Sequence, residues 1–340
     1  MDIQPTRQAM AVVSSAAEGN AITGLQEYVS ASLFEGLCSV DTGQALIDAH
    51  ISQRVLRIAD PVFAEIDLDI PEFIALIRDR VWHSDNEIEF FADEREGRSS
   101  TIWSKSIRRG GALTLDTILN LKANKTSIYV KRLELMRQSM REIAQRLAYT
   151  GYFKPTISAM YSPAGALSTK IHIDPCDVIA IQLHGTKRWT VDSKPAVENV
   201  HLGQTKVVPD DGEFAEQREF ETRAGEALLI PRGYFHNAKV EDEESLHLVL
   251  SLFPLTWFDV VSQQLQGLCD TDPAFRASII QAGANGQAII DPQSAASILS
   301  GLGDPEKLKS ASAQAMKQRA QEHMLNSYGQ VFAKPDKNLP

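Results

Sequence analysis

Residues 154–254 are a succession of short apolar or alternating runs, each broken by Gly, Pro or Asp after about ten residues. Side chains alternate between the two faces of a strand, so runs of this length between turn residues indicate antiparallel strands. The runs with this rhythm are Thr156–Tyr161, Lys170–Asp174, Val178–Leu183, Lys187–Val191, Arg218–Thr222, Ala227–Ile230 and Ser245–Phe253. Seven or eight strands around a buried site predict a double-sheet jelly roll, or double-stranded β-helix.

The segments on both sides have helical patterns, with apolar residues three and four positions apart. Before the jelly roll we expect a loop at Asp93–Gly111, a strand at Thr126–Arg132, and helices at Ala21–Cys38, Thr42–Ile58, Pro71–Trp82, Thr114–Leu121 and Leu133–Tyr149. After it we expect helices at Trp257–Leu268, Pro273–Ala282, Pro292–Leu299 and Pro305–Tyr328. The sequence of this region shows little sign of a β-hairpin. The predicted fold class is therefore α+β, with a mainly helical region 1–125, a jelly roll over 126–254 and a helical region 255–340.

Charge and composition narrow the classes of function. The 340 residues carry a net charge of −10, which argues against nucleic-acid binding through phosphate contacts and is compatible with a cationic substrate. No apolar run approaches the ~20 residues that span a bilayer, and Met1–Pro5 lacks the basic start of a secretory signal. We therefore expect a cytoplasmic protein without a membrane partner. The three cysteines are too widely spaced to indicate a disulfide framework or a zinc knuckle.

The residues that carry chemistry lie in two segments of the jelly roll. His172 and Asp174 are two positions apart in a predicted strand, so both side chains face the same side. The segment Gly225–His236 reads as a turn, an apolar strand, a Pro-x-Gly turn and a histidine that opens the next strand. Two histidines and one carboxylate on one face of an iron ion leave three positions open, as in non-haem Fe(II) oxygenases. His-x-Asp alone is common by chance, but the two segments together predict a metal site.

The segments His172–Val191 and Gly225–Ser251 resemble the Jumonji-C oxygenases, in particular their cupin-type branch, which contains the ribosomal oxygenases. The resemblance covers roughly residues 155–255. The positions that match its pattern are His172, Asp174, Asp177, Gln182, Gly185, Lys187, Trp189, Pro231, Gly233, His236, Ser245, His247 and Ser251.

The resemblance implies a role for several of these residues. His172, Asp174 and His236 correspond to the iron ligands. Lys187 corresponds to the basic residue that binds the distal carboxylate of 2-oxoglutarate, and Ser251 to a second hydroxyl for the same group. Burial of the lysine would require an anionic partner of this kind.

Three positions near this expected site leave alternatives open. His247 is expected to face the barrel interior, either as a hydrogen-bond partner within the site or as a core histidine. Ser158 stands where the family often carries an asparagine that contacts the co-substrate, and Met160 where a tyrosine is frequent. Both positions should line the pocket. The substrate could therefore differ from that of the best-known members of the family.

The resemblance implies an Fe(II)- and 2-oxoglutarate-dependent dioxygenase that consumes O2 and releases succinate and CO2. Because Asp174 is retained, hydroxylation of an unactivated C–H bond is the expected outcome, with desaturation or cyclisation left open. Three hypotheses follow: a hydroxylase of an amino-acid side chain in a protein or peptide, the same catalyst acting on a free amino acid or natural-product intermediate, or a non-catalytic metal-binding cupin. The resemblance also implies a homodimer through the C-terminal helices; the other interpretation is that these helices cover the barrel.

Overall fold

The computed structural model describes most of the chain from residue 37 onward. The described residues are 33–34, 37–59, 66, 68–80, 82, 87–93, 113–201, 214, 216–276, 278, 280–282, 288–290 and 305–329. The predicted helices Ala21–Cys38 and Pro292–Leu299 and the predicted loop Asp93–Gly111 lie wholly or mostly outside these residues. Within them, the predicted α+β jelly roll with surrounding helices is confirmed.

The jelly roll consists of two antiparallel sheets. One sheet has seven strands in the order β1-β9-β6-β11-β4-β3-β2, and the other has four in the order β5-β10-β7-β8. The strands are β1 (Leu56–Ile58), β2 (Ile88–Phe91), β3 (Ser127–Val130), β4 (Phe153–Ser162), β5 (Leu167–His172), β6 (Asp177–His184), β7 (Thr186–Asp192), β8 (Gln217–Arg223), β9 (Ala227–Ile230), β10 (His236–Lys239) and β11 (Ser245–Pro254).

The two faces of the larger sheet have different partners. Along β11, the side chains of Leu246, Leu248 and Leu250 are fully buried in a core shared with the N-terminal helices. The alternate residues turn to the opposite face, where His247 lies edge-on to Trp189 of the smaller sheet at 5.3 Å between ring centroids. The predicted inward orientation of the alternate residues therefore holds for His247, and the inner face looks into the barrel.

Helices cover the outer face of the larger sheet, and two further helices follow the barrel in sequence. They are α1 (Val40–Ile51), α2 (Ile70–Arg78), α3 (Leu115–Ala123), α4 (Gln138–Ala148), α5 (Trp257–Thr271) and α6 (Pro305–Gly329), with 3-10 turns at Leu133–Leu135 and Pro273–Arg276. None of the helices in the described part of the chain combines the length and the apolar character needed to cross a membrane.

The predicted helix Thr42–Ile58 is wrong in its second half. Helix α1 ends at Ile51, Gln53 adopts a left-handed backbone with φ of 47°, and Leu56–Ile58 forms strand β1 against β9. The apolar spacing continues through the turn, so periodicity alone did not reveal the break. The N-terminal region therefore contributes strands to the jelly-roll sheet as well as helices that pack on it.

The expectation of little β-hairpin after the barrel is also wrong. The predicted helix Pro273–Ala282 is a 3-10 turn followed by strand β12 (Ile280–Ala282), which pairs antiparallel with β13 (Ala288–Ile290). Between the two strands the sequence contains Asn285-Gly286, a dipeptide typical of hairpin turns. This turn signal outweighs the helical spacing of the residues before it.

Helix α2 tests how firmly the N-terminal region is packed. Phe73 is fully buried and stacks on Tyr161 of β4, with ring centroids 6.1 Å apart. We expect Phe73→Ala to lower the free energy of unfolding by about 3–5 kcal/mol, measured by urea denaturation, because it leaves a cavity between helix and sheet. Leu119→Ala on α3, where the side chain is 54% exposed, should change it by about 0.5 kcal/mol or less. Equal effects would contradict this packing.

Candidate metal centre

The two predicted histidine ligands lie opposite each other on neighbouring strands. His172 ends β5, His236 begins β10, and the register pairs these two residues directly. Their ring centroids are 4.3 Å apart. Asp174 follows two residues after the end of β5, and its Oδ2 lies 3.7 Å from His172 Nε2 and 3.5 Å from His236 Nε2. One ligand atom from each of the three residues lies within 4.8 Å of the others, so the structure brings the predicted triad together.

The backbone fixes the orientation of both rings. The Nδ1 atom of His172 is 2.7 Å from the carbonyl oxygen of Lys170, and that of His236 is 3.0 Å from the carbonyl oxygen of Tyr234. A carbonyl only accepts hydrogen bonds, so each Nδ1 carries the proton and each Nε2 presents a lone pair toward Asp174. Burial lowers the pKa of His236 to about 4, which keeps this ring neutral and able to bind a metal.

This donor set fits Fe(II). Two neutral imidazoles and one carboxylate are the ligands of the facial triad, which leaves coordination positions free for other molecules. A structural zinc site usually has four protein ligands. Among the described residues, only His172, Asp174 and His236 form a group of three or more potential ligands, so the arrangement is that of an open site.

The turn before His236 is held by hydrogen bonds to Asp174 and Asp177, which lie between β5 and the start of β6. The backbone N–H of Gly233 donates to the carbonyl of Asp174 at 3.0 Å, and that of Arg232 donates to the Asp177 carboxylate at 2.9 Å. Gly233 has a φ of 85°, and a Cβ atom there would lie 2.0 Å from the carbonyl oxygen of Val197. Glycine is therefore required at this position, where the turn packs against the backbone of Val197.

Lys187 is the most unusual residue inside the barrel. Its side chain is fully buried, and its Nζ donates to Ser162 Oγ at 3.0 Å and Ser168 Oγ at 2.9 Å. No carboxylate in the described part of the chain pairs with it, and burial lowers its pKa well below the ordinary value. The sequence analysis did not identify Ser162 or Ser168. Alternation along β5 would have indicated Ser168, which lies on the same strand as His172.

The hydroxyls of Ser251 and Ser158 interact with residues other than Lys187. The Ser251 hydroxyl is hydrogen-bonded to the buried Cys176 thiol, and Ser251 lies opposite Thr156 in the register, whereas Ser162 lies opposite Ser245. The hydroxyl of Ser158 is hydrogen-bonded to Tyr129. The roles of Ser251 and Ser158 as co-substrate contacts stay predictions.

Tyr129 is a residue of the barrel's inner face that no sequence motif indicated. It lies on β3, opposite Met160 of β4, on the inner face of the larger sheet. Burial raises the pKa of its phenol above the ordinary value, and the nearby charge of Asp174 raises it further. A phenol therefore stands beside Ser158, at the level where Met160 replaces the tyrosine frequent in the family.

His247 is a neutral side chain next to the buried lysine. It is 2% exposed, and burial together with the charge of Lys187 lowers its pKa well below the ordinary value. Its Nδ1 has no hydrogen-bond partner among the described residues. The ring packs against Trp189, so the structure shows the core contact, while a contact with a co-substrate stays a prediction.

Residues 134–260 match the model of the JmjC domain family. We call this stretch, which is less than half of the chain, the JmjC segment. It contains both halves of the metal site, Lys187 and most of the barrel. The resemblance expected from the sequence is therefore confirmed.

Named relatives of the JmjC domain include ribosomal oxygenases. Rat "Ribosomal oxygenase 2" is 31% identical over 110 residues, which cover 32% of this chain and 23% of that protein. The Dictyostelium discoideum "Bifunctional lysine-specific demethylase and histidyl-hydroxylase NO66" is 33% identical over 108 residues, which cover 31% of this chain and 21% of that protein. The matches thus span less than a quarter of the length of these relatives.

Solved structures share the fold over a longer part of the chain. The Escherichia coli ribosomal oxygenase YcfD in complex with cobalt and 2-oxoglutarate has a TM-score of 0.51 and 15% identity, covering 80% of this chain and 70% of that chain. At this level of identity the likeness concerns the fold. It extends beyond the JmjC segment.

The three-residue site makes a direct prediction about metal binding. We expect the full chain to bind Co(II), and His172→Ala and His236→Ala each to weaken binding by more than the roughly 10–100-fold typical of outer-shell changes. His184→Ala, at the exposed end of β6, should leave the affinity unchanged. Titration followed by visible absorption measures all four proteins. Unchanged affinity in either ligand variant would contradict the assignment.

Proposed function

We propose that the chain is an Fe(II)- and 2-oxoglutarate-dependent dioxygenase that hydroxylates an unactivated C–H bond of an amino-acid side chain in a protein or peptide. One observation carries the proposal: the open triad and a fully buried lysine without a carboxylate partner share one barrel. The first fits a metal ion with free positions. The second, in its charged form, needs an anion at a defined place inside the protein.

The position of Lys187 fits a dicarboxylate bound to the metal. Its partner Ser168 lies four residues before His172 on β5, which corresponds to about 13 Å between the two Cα positions. A dicarboxylate bound to the metal at one end would therefore extend its other end along this strand toward the ammonium. Two of the three N–H bonds of the ammonium are directed to serines, so one remains for the distal carboxylate. Binding of this anion would favour the charged form of the lysine, which burial alone disfavours.

The protein's residues then have separate tasks. The Nε2 atoms of the two histidines and the Asp174 carboxylate hold the metal, and Lys187 with its two serines holds the distal end of the co-substrate. A bound Fe(II) would supply activation of O2 coupled to oxidative decarboxylation of 2-oxoglutarate, so that the co-substrate, O2 and a C–H bond yield succinate, CO2 and an alcohol. Trp189 and His247, both buried and in edge-on contact, lie in the same barrel interior.

A protein or peptide is the substrate class with most support. The matched relatives are named as ribosomal oxygenases and as a histidyl-hydroxylase. The net charge of −10 favours a basic target. A free amino acid or natural-product intermediate is the second candidate, because Ser158 and Met160 change the pocket. The C-terminal region, where we expected helices and little hairpin, does not add support to this candidate, since β12 and β13 form a hairpin there.

A second copy of the chain is also part of this proposal. Trp257 and Phe258 at the start of α5 are 72% and 81% exposed, which leaves an apolar surface in the C-terminal region. A homodimer through this region would cover it.

Replacing Lys187 tests the co-substrate site without touching the metal ligands. We expect Lys187→Met to bind Co(II) like the wild type but to bind 2-oxoglutarate at least tenfold more weakly, because the carboxylate loses its charged partner. Arg188→Met is the matched control, since Arg188 is the next residue and pairs with Glu241 and Glu221 outside the barrel. Calorimetric titration of the Co(II)-loaded, full-length proteins measures both affinities. Wild-type affinity for 2-oxoglutarate in Lys187→Met would contradict the proposed role.

The activity is tested with Fe(II), 2-oxoglutarate and a cell lysate. We expect succinate release that needs both Fe(II) and 2-oxoglutarate, and a protein or peptide heavier by one oxygen atom, with label from ¹⁸O2. His172→Ala should abolish both. Labelled small molecules without labelled proteins or peptides would support the second candidate. Absence of both turnover and co-substrate binding in the metal-loaded wild type would reject the dioxygenase proposal.

A further inference from the structure

We infer that the end of helix α1 is a clasp that positions the metal ligand His236, so that His50 and Gln53 of the N-terminal region are positioning residues of the metal centre. The inference rests on the metal site of the proposed function. The clasp consists of His50 with its partner Asp177, and of the Gln53 carbonyl with its partner Tyr234. Neither contact touches the metal ligands directly.

The first contact passes through a buried carboxylate. Asp177 is 1% exposed at the start of β6, and its Oδ2 pairs with Nδ1 of His50 in the last turn of α1. Its other oxygen accepts the backbone N–H of Arg232, in the turn before His236, at 2.9 Å. Both oxygens of Asp177 are therefore used, one by the helix and one by the turn. Without His50, half of a buried carboxylate would lose its partner, which is costly.

The second contact joins the same two segments directly. The Tyr234 hydroxyl donates to the carbonyl of Gln53 at 2.6 Å. Gln53 presents this carbonyl from the left-handed backbone conformation that ends α1. Tyr234 in turn accepts the Nδ1 proton of His236 through its own carbonyl. The hydrogen bond to Gln53 therefore restrains the residue that sets the ring orientation of the metal ligand.

Three successive residues of the turn are thus anchored, each to a different point. Arg232 is bonded to Asp177, Gly233 to the Asp174 carbonyl, and Tyr234 to Gln53. Only the middle contact comes from the metal site itself. The outer two depend on the end of α1, so the geometry of the turn depends on a helix outside the JmjC segment.

His50 is mounted rigidly enough to serve this purpose. Its ring lies edge-on to Tyr152 and Phe153, at 5.9 and 5.1 Å between centroids, and its Nε2 is 3.3 Å from the Tyr152 hydroxyl. The helix itself is anchored by Leu46 and Ala49, which are buried in the core. An exposed surface histidine would have neither the ring contacts nor a partner at both nitrogens.

The test measures Co(II) affinity and the visible spectrum of the Co(II) complex in the full chain. We expect His50→Leu to weaken Co(II) binding about 10–100-fold and to alter the spectrum, as for other partners outside the ligand shell. His50→Asn places an amide nitrogen near the position of Nδ1 and should recover most of the affinity. Tyr234→Phe removes one hydroxyl from the second contact and should weaken binding in the same direction. It gives a second, milder measurement should His50→Leu fail to fold.

Ile77→Ala on α2 is the control for a general loss of stability. It removes a fully buried side chain far in sequence from the clasp, and should lower the unfolding temperature without changing Co(II) affinity or spectrum. Wild-type affinity and spectrum in both His50→Leu and Tyr234→Phe would overturn the clasp and leave the metal site intact. A wild-type chain that binds no Co(II) would overturn the clasp and the proposed function together.

Discussion

The direct pairing of His172 with His236 across strands β5 and β10 is the contact on which the candidate site depends. It brings two imidazoles to one point although 63 residues of chain lie between them. Backbone hydrogen bonds hold the strands, and the carbonyls of Lys170 and Tyr234 hold the rings. Main-chain atoms therefore orient the ligand rings, and side chains outside the ligand set act on the rings through the backbone that they hold in place.

A second consequence of the same barrel is the environment of Lys187. The strand that ends in His172 also carries Ser168, so the metal site and the ammonium are fixed relative to each other by one element. A flexible connection would let each site bind its own partner independently. One strand instead favours a single molecule with two suitably spaced anionic ends, which is why the two features together define a co-substrate more narrowly than either alone.

The sequence predicted those parts of the molecule that follow from local pattern. Alternation and turn residues predicted the strands, and two short segments contained all three metal ligands and Lys187. Contacts between distant segments were not predictable in the same way. Ser162, which bonds Lys187, shows no motif of its own, and Tyr129 reaches the pocket only because β3 pairs with β4. Strand β1 was misread as helix because its apolar residues continue the spacing of α1.

The position of β1 bears on how the chain reaches its folded state. This three-residue strand forms one edge of the larger sheet. It pairs Leu56 with Leu229 of β9, a contact between segments far apart in sequence. Such contacts require closure of a long loop and form slowly compared with local ones. Until β1 docks, β9 is an unprotected sheet edge with free backbone donors and acceptors, a surface on which chains aggregate. The few residues after α1 therefore act as a cover for the nascent barrel, and a fragment that begins at the JmjC segment would be made without it.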